Sequence, residues 1–232
     1  MKITWLGQAG LLLRTPNTTI MADPYFSDSV GMKNPQKHRR VAVPDWVYDI
    51  KPDILLITHD HADHLDMETL PHFLRQDAEQ PITVMAPYNA HMAVRALGGP
   101  HNYVMLNRHS VWTEGDITVY AVKAEHSDLT AVGFVLDDGT KTYYISGDTL
   151  YNYDVIDDVL SLCADGPDVA FVPVNGAGNN MNMVDAEDFC ADIRAKVTVP
   201  LHCGMFDDIS LADFKGSGAV VPTVWQEIRF DN

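Results

Sequence analysis

Cationic side chains are scarce in this sequence. Sixteen Lys and Arg stand against 32 Asp and Glu, a formal charge of −16. So acidic a chain repels phosphate backbones unless its few cations cluster, which argues against a nucleic-acid partner. An anionic membrane surface is an equally poor partner. Cysteine is scarce too. Cys163, Cys190 and Cys203 are odd in number, widely spaced and without a Cys-x-x-Cys pair. A disulfide framework is therefore not expected, and a reducing compartment is. No stretch approaches the roughly 20 apolar residues of a membrane span. Residues 1–7 lack the apolar run of a signal peptide. The expectation is a cytoplasmic protein.

What is present is ordinary globular composition, 46% hydrophobic and 21% charged over 232 residues. Such a length buries a core without help from a disulfide or a structural metal, so any metal site is expected to be functional. No linker or repeat divides the chain, and a single domain over residues 1–232 is expected. Apolar or β-branched runs predict strands at 3–6, 11–14 and 19–23, punctuated by turns at 7–10 and 16–17. Residues 24–45 read as loop. The run 53–57 reads as a buried strand delivering a loop at Thr58-His59. Asp66 is positioned to N-cap a helix over 67–75. A strand at 82–85 and a helix at 89–97 closed by Gly98-Gly99 follow. Further strands are expected at 104–106, 117–124, 131–136 and 141–145, the last two a hairpin through Asp137-Asp138-Gly139. The remainder alternates: helix 154–162, strand 169–174, helix 186–196, strand 198–201. This order suggests an α/β protein with two sheets packed together and covered by helices.

The strongest chemical feature is Thr58-His59-Asp60-His61-Ala62-Asp63-His64. Side chains two apart on an extended segment point the same way, so His59 and His61 can converge on one ion. If the chain turns into a helix after His61, Asp63 and His64 can reach a second. Imidazole with carboxylate suits Zn²⁺, Mn²⁺ or Fe²⁺ better than Ca²⁺ or Mg²⁺. Three further candidates each follow a predicted strand: His126, Asp148 in Ser146-Gly147-Asp148-Thr149, and His202. A carboxylate between two cations can bridge them, a role that suits Asp148. His38, His72, His91, His101 and His109 fall on helices or polar loops and are not expected to be ligands.

The heptapeptide, followed in order by His126, Asp148 and His202, resembles the metallo-β-lactamase superfamily. Within it, the chain is similar to L-ascorbate-6-phosphate lactonase and its relatives. The similarity lies in Ile57-Thr58-His59-Asp60-His61-Ala62-Asp63-His64-Leu65-Asp66, in Ile145-Ser146-Gly147-Asp148-Thr149-Leu150-Tyr151 and in Asp168-Val169-Ala170-Phe171 with its downstream Asn175-Gly176. The insertions and C-terminal extension of that lactonase are lacking here, and residues 175–183 fit it loosely. The resemblance implies a four-layered αββα sandwich with mixed sheets and two divalent ions, Zn or Mn, at one edge. It implies His59, His61 and His126 on the first ion, Asp63, His64 and His202 on the second, Asp148 bridging, and Asp23 bracing the metal loop. Position 61 is His, where flavodiiron proteins carry Glu.

Two ions roughly 3.5–4 Å apart can hold a hydroxide and polarise a carbonyl oxygen. The expected activity is hydrolysis of a small carbonyl substrate, a lactone or ester of a sugar phosphate, with Asp148 and Asp63 catalytic and Asp63 shuttling the proton to the leaving alkoxide. Two stretches could recognise such a substrate. Lys33-Asn34-Pro35-Gln36-Lys37-His38-Arg39-Arg40 holds four of the 16 cations, and Arg39 or Arg40 could bind an anionic group bidentately. The Asn-rich loop, with Asn175 and Asn180, could hydrogen-bond sugar hydroxyls. Cys203 reads as a buried apolar thiol. A phosphodiesterase acting on a small cyclic or diester phosphate and a non-catalytic metal sensor are the alternatives, and a homo-oligomer stays open.

Overall fold

The computed structural model describes residues 1–230. Strands β1 (Lys2–Trp5), β2 (Leu11–Arg14), β3 (Thr19–Ala22), β4 (Ile54–Leu56), β5 (Thr83–Ala86) and β6 (Asn102–Met105) form one sheet in sequence order. Strands β7 (Val111–Glu114), β8 (Ile117–Lys123), β9 (Val132–Asp137), β10 (Thr142–Ile145), β11 (Val169–Pro173) and β12 (Val197–Leu201) form the other. Both sheets are mixed. The first is antiparallel through β1–β3 and parallel from β3 to β6. The second is antiparallel through β7–β10 and parallel from β10 to β12.

The period-two pattern of the strands divides their side chains between two faces. Ile3, Trp5, Leu11, Leu13, Ile20, Ile54 and Leu56 of the first sheet meet Val119, Phe134, Ile145, Phe171 and Val199 of the second in the middle core. The outer face of the first sheet (Leu12, Met21, Leu55, Val84) packs on Leu70 and Phe73 of α2 (Leu70–Phe73) and on Ala90 and Val94 of α3 (Tyr88–Arg95). The outer face of the second (Val135, Tyr144, Ala170, Val172) packs on Val155 and Val159 of α4 (Tyr153–Leu162) and on Phe189 and Cys190 of α5 (Met183–Asp192). Three apolar cores thus separate four layers in the order αββα, as expected.

The departures from expectation have physical causes. Asp66 accepts hydrogen bonds from the Glu68 and Ser27 amides and from the Ser27 and Thr69 hydroxyls. These hold residues 66–69 as a turn, and Leu74 leaves the helical region at ψ 62. The helix expected over 67–75 is therefore the four residues of α2. Helix α5 starts earlier than expected, because Asn182 and Asp185 form a capping box. It ends before Arg194, whose φ is 57. Strand β7 went unanticipated because it is an edge strand with little burial and no apolar alternation. Inside the expected loop 24–45 lies the short helix α1 (Ser29–Lys33). Residues 225–228 run back along β1, where Trp225 and Ile228 donate their amides to the Trp5 and Ile3 carbonyls. Among the described residues, no helix is long and apolar enough to cross a membrane.

Candidate metal centre

Strand β4 passes into Ile57 and Thr58, both fully buried, and releases the histidine-rich loop at the sheet edge. Asp23, at the end of β3, sets the orientation of that loop. Its carboxylate accepts the Thr58 amide at 2.8 Å, the Thr58 hydroxyl at 2.6 Å and His64 Nδ1–H at 2.8 Å. The Thr58 hydroxyl has spent its proton on Asp23, so its oxygen accepts from His59 Nδ1 at 3.0 Å. One carboxylate thereby fixes the tautomers of two histidines and turns both Nε2 atoms toward the cluster. Gly147, just before Asp148, has φ 58, and a Cβ there would lie 2.7 Å from Thr58 Cβ. Only glycine lets β10 bring Asp148 this close to β4.

The structure brings together all seven side chains expected to hold ions. His59, His61, His126 and Asp148 form one group and Asp63, His64 and His202 another, with the ligand atoms within each group no more than 4.8 Å apart. Asp148 spans the two. Its Oδ1 lies 3.2 Å from His64 Nε2 and 3.1 Å from His202 Nε2, while its Oδ2 lies 3.9 Å from both His59 Nε2 and His126 Nε2. His59 Nε2 and Asp148 Oδ1 are buried and have no hydrogen-bond partner among the described residues. The close approaches at Asp148 Oδ1 are convergent rather than aligned as hydrogen bonds. A set of imidazoles and carboxylates converging in this way fits borderline divalent ions.

Charge follows the geometry. Burial and the facing His64 hold the His59 imidazole well below its ordinary pKa, and burial lowers His126. Burial opposes charge on His64 too, but Asp148 and Asp23 overcome it and hold that ring well above the usual range. His202, against the same burial, is raised by Asp148 and Asp63 to about 9. Against their own burial, Asp63 is depressed by its His202 bond and by His64, and Asp148 by His202 and His64. Protons on His64 and His202 thus occupy the place a cation would take, and binding must release them. Affinity at this trio should rise with pH through about 9, where His202 loses its proton, and the raised His64 extends the rise in the same direction. Calorimetric titration in buffers of differing ionisation heat should show proton release, and a pH-independent affinity would contradict the assignment.

The surrounding residues brace this cluster. His126 Nδ1 donates to the Asn179 carbonyl at 3.2 Å, His61 Nε2 lies 3.3 Å from the Ser127 hydroxyl, and Asn175 Nδ2 lies 2.9 Å from His202 Nδ1. Asn175 therefore meets a histidine of the cluster. Asn180 is buried and its amide has no partner among the described residues. Arg39 and Arg40 are engaged elsewhere. Arg39 donates to the Tyr25 carbonyl at 2.7 Å and the Val41 carbonyl at 2.9 Å, with its guanidinium 5.3 Å from the Tyr25 ring and 5.7 Å from the Trp225 ring. Arg40 pairs with Asp208. Neither stands as a free anion clamp, because carbonyls and aromatic rings hold Arg39 and a carboxylate holds Arg40, and these partners come from segments that sequence spacing does not connect. The remaining histidines lie apart from the cluster, His38 on Asp28, His72 on the Tyr48 carbonyl and His109 on Asp158, for example.

Sequence reasoning missed Gln8, whose side-chain N–H donates to Asp63 at 2.7 Å. The only signal was a polar residue inside the turn Gly7-Gln8-Ala9-Gly10. It also missed Asp128, two residues after His126. That carboxylate takes the Asp60 amide, Asn89 and Thr130, and so pins the His126 loop to the histidine-rich loop.

Residues 2–202 match the family model described as a beta-lactamase superfamily domain, and the chain belongs to the metallo-β-lactamase superfamily. A UPF0173 metal-dependent hydrolase of Thermoplasma acidophilum is 26% identical over 99% of this chain and 98% of its own length. Another, from Methanopyrus kandleri, is 28% identical over 90% of this chain and 86% of its own. Among solved structures, the isothiocyanate hydrolase from Delia radicum gut bacteria superposes with a TM-score of 0.77 at 19% identity, covering 100% of this chain and 99% of that one. At that identity the likeness is one of fold.

Proposed function

We propose that this protein is a hydrolase that holds two divalent ions, Zn or Mn, at the sheet edge and cleaves a small carbonyl substrate, a lactone or ester. The observation that carries this reading is Asp148, a buried carboxylate with one oxygen toward each histidine group. His59, His61 and His126 would hold one ion and Asp63, His64 and His202 the other, with Asp148 between them. Bound there, the ions supply Lewis acidity toward a carbonyl oxygen and make water reactive near neutral pH.

The chain's own residues do the rest. Asp23, Thr58, Ser127, Asn175 and Asn179 hold the histidine rings in place. Asp63 has 19% of its side chain exposed against 5% for Asp148, so it is the carboxylate that can reach a substrate. Its Oδ2 is occupied by Gln8, and Oδ1 is the oxygen that would carry a proton to the leaving alkoxide. The names of the relatives, metal-dependent hydrolases, support the reaction class. The resemblance to L-ascorbate-6-phosphate lactonase extends it to a sugar-phosphate lactone. With Arg39 and Arg40 engaged, recognition of the phosphate would fall to Lys33 and Lys37, which form no ion pair among the described residues. The net charge of −16 favours a small-molecule substrate over a nucleic acid.

The test is turnover of the metal-loaded protein on lactones with and without phosphate, on carboxylic esters, and on bis-p-nitrophenyl phosphate. Lactone or ester hydrolysis is expected. Turnover of the phosphodiester alone would replace this reading with a phosphodiesterase, and tight metal with no turnover would replace it with a sensor.

A further inference from the structure

We propose that Gln8 is a positioning residue for the second ion group alone, holding Asp63 and His202 at the separation that lets both face one ion. This rests on the two-ion reading above. Asp63 comes from the loop after β4 in one sheet, His202 from the end of β12 in the other. Gln8 lies in the turn between β1 and β2 and binds both. Its side-chain Nε2 donates to Asp63 Oδ2 at 2.7 Å and lies 3.2 and 3.3 Å from the ring nitrogens of His202. Its backbone carbonyl accepts the His202 amide at 3.0 Å and the Trp5 indole N–H at 2.9 Å. The side chain is 1% exposed.

Two further observations separate Gln8 from an ordinary packed residue. Its φ is 49, a left-handed conformation that disfavours a residue with a Cβ and suits glycine. The position would be filled more easily by glycine, so the carboxamide is what the site uses. The direct contact between Asp63 and His202, 3.3 Å from Oδ2 to Nε2, uses the very nitrogen a cation would occupy. The Gln8 bond to Asp63 takes up no ring nitrogen and so is compatible with a bound ion. The first group is held differently. Thr58, Ser127 and Asn179 brace His59, His61 and His126, and among the described residues Gln8 makes no hydrogen bond to any of those three.

The experiment titrates metal-free protein with Zn²⁺ against a competing chelator, for wild type, Gln8→Gly and Gln8→Met. Gln8→Gly removes the carboxamide while relaxing the backbone, so the metal-free variant is expected to melt within a few degrees of wild type. Gln8→Met keeps the side-chain bulk and removes the carboxamide. In both, the first equivalent of Zn²⁺ should bind as in wild type and the second about 10–100-fold more weakly. An unchanged second equivalent, or equal weakening of both, would overturn the Gln8 role and leave the proposed function standing. A single equivalent in wild type would overturn the two-ion reading itself and this inference with it.

Discussion

Asp148→Asn should lower kcat/KM on whichever substrate the protein hydrolyses by at least about 10³-fold, a barrier change of about 4 kcal/mol, while the protein stays folded. The change keeps the side chain's shape and removes its charge. It also replaces an acceptor oxygen with an N–H₂ that must face one of the two histidine groups. In the native arrangement Oδ1 stands 3.1–3.2 Å from the Nε2 atoms of His64 and His202, and Oδ2 faces His59 and His126. Losing one preorganised stabilising group typically costs about 10²–10³ in rate. Here a single residue serves both groups, so the loss should reach the upper end or pass it. Elemental analysis of the variant should find fewer ions per chain than in wild type. Retention of more than a tenth of the activity with full metal content would remove Asp148 from the mechanism.

Asp23→Ala should cost the fold heavily. The aspartate is 1% exposed and accepts three hydrogen bonds, from the Thr58 amide, the Thr58 hydroxyl and His64. Alanine leaves those donors buried without an acceptor, at about 1–3 kcal/mol each before relaxation. A total loss of roughly 3–5 kcal/mol would lower the melting temperature by about 10 °C for a chain of this size. His64 and His59 would also lose the constraint on their tautomers, weakening metal binding by about 10–100-fold. Asp23→Asn should fall between, because asparagine tolerates the φ of 41 found here and keeps one acceptor. Thermal melts of the metal-free proteins, followed by Zn²⁺ titration, separate the two effects. A melting temperature within about 2 °C of wild type would refute the bracing role.

Much of this was legible in the sequence because it is local. Residue type and spacing define the loop from His59 to His64, and the alternation of apolar residues gives most strands and the facing sheets. Asp148 and His202 were readable because each follows an apolar run. Helix α2 and strand β7 were misjudged or unseen because a turn held by Asp66 and an edge position override local preference. Arg39 looked like a ligand-binding cation, since its partners, Tyr25 and Trp225, lie on separate segments.

The sequence by itself determined which side chains could hold metal and that they would follow strands, because ligand chemistry and strand periodicity are written over a few adjacent residues. Only the tertiary structure decided how Asp148 sets one oxygen toward each group, that Asp23 orients two histidines through one threonine, and that a glutamine in the first turn clasps Asp63 and His202. Those contacts exist only once two sheets close on each other, and their partners lie up to 194 positions apart in the chain.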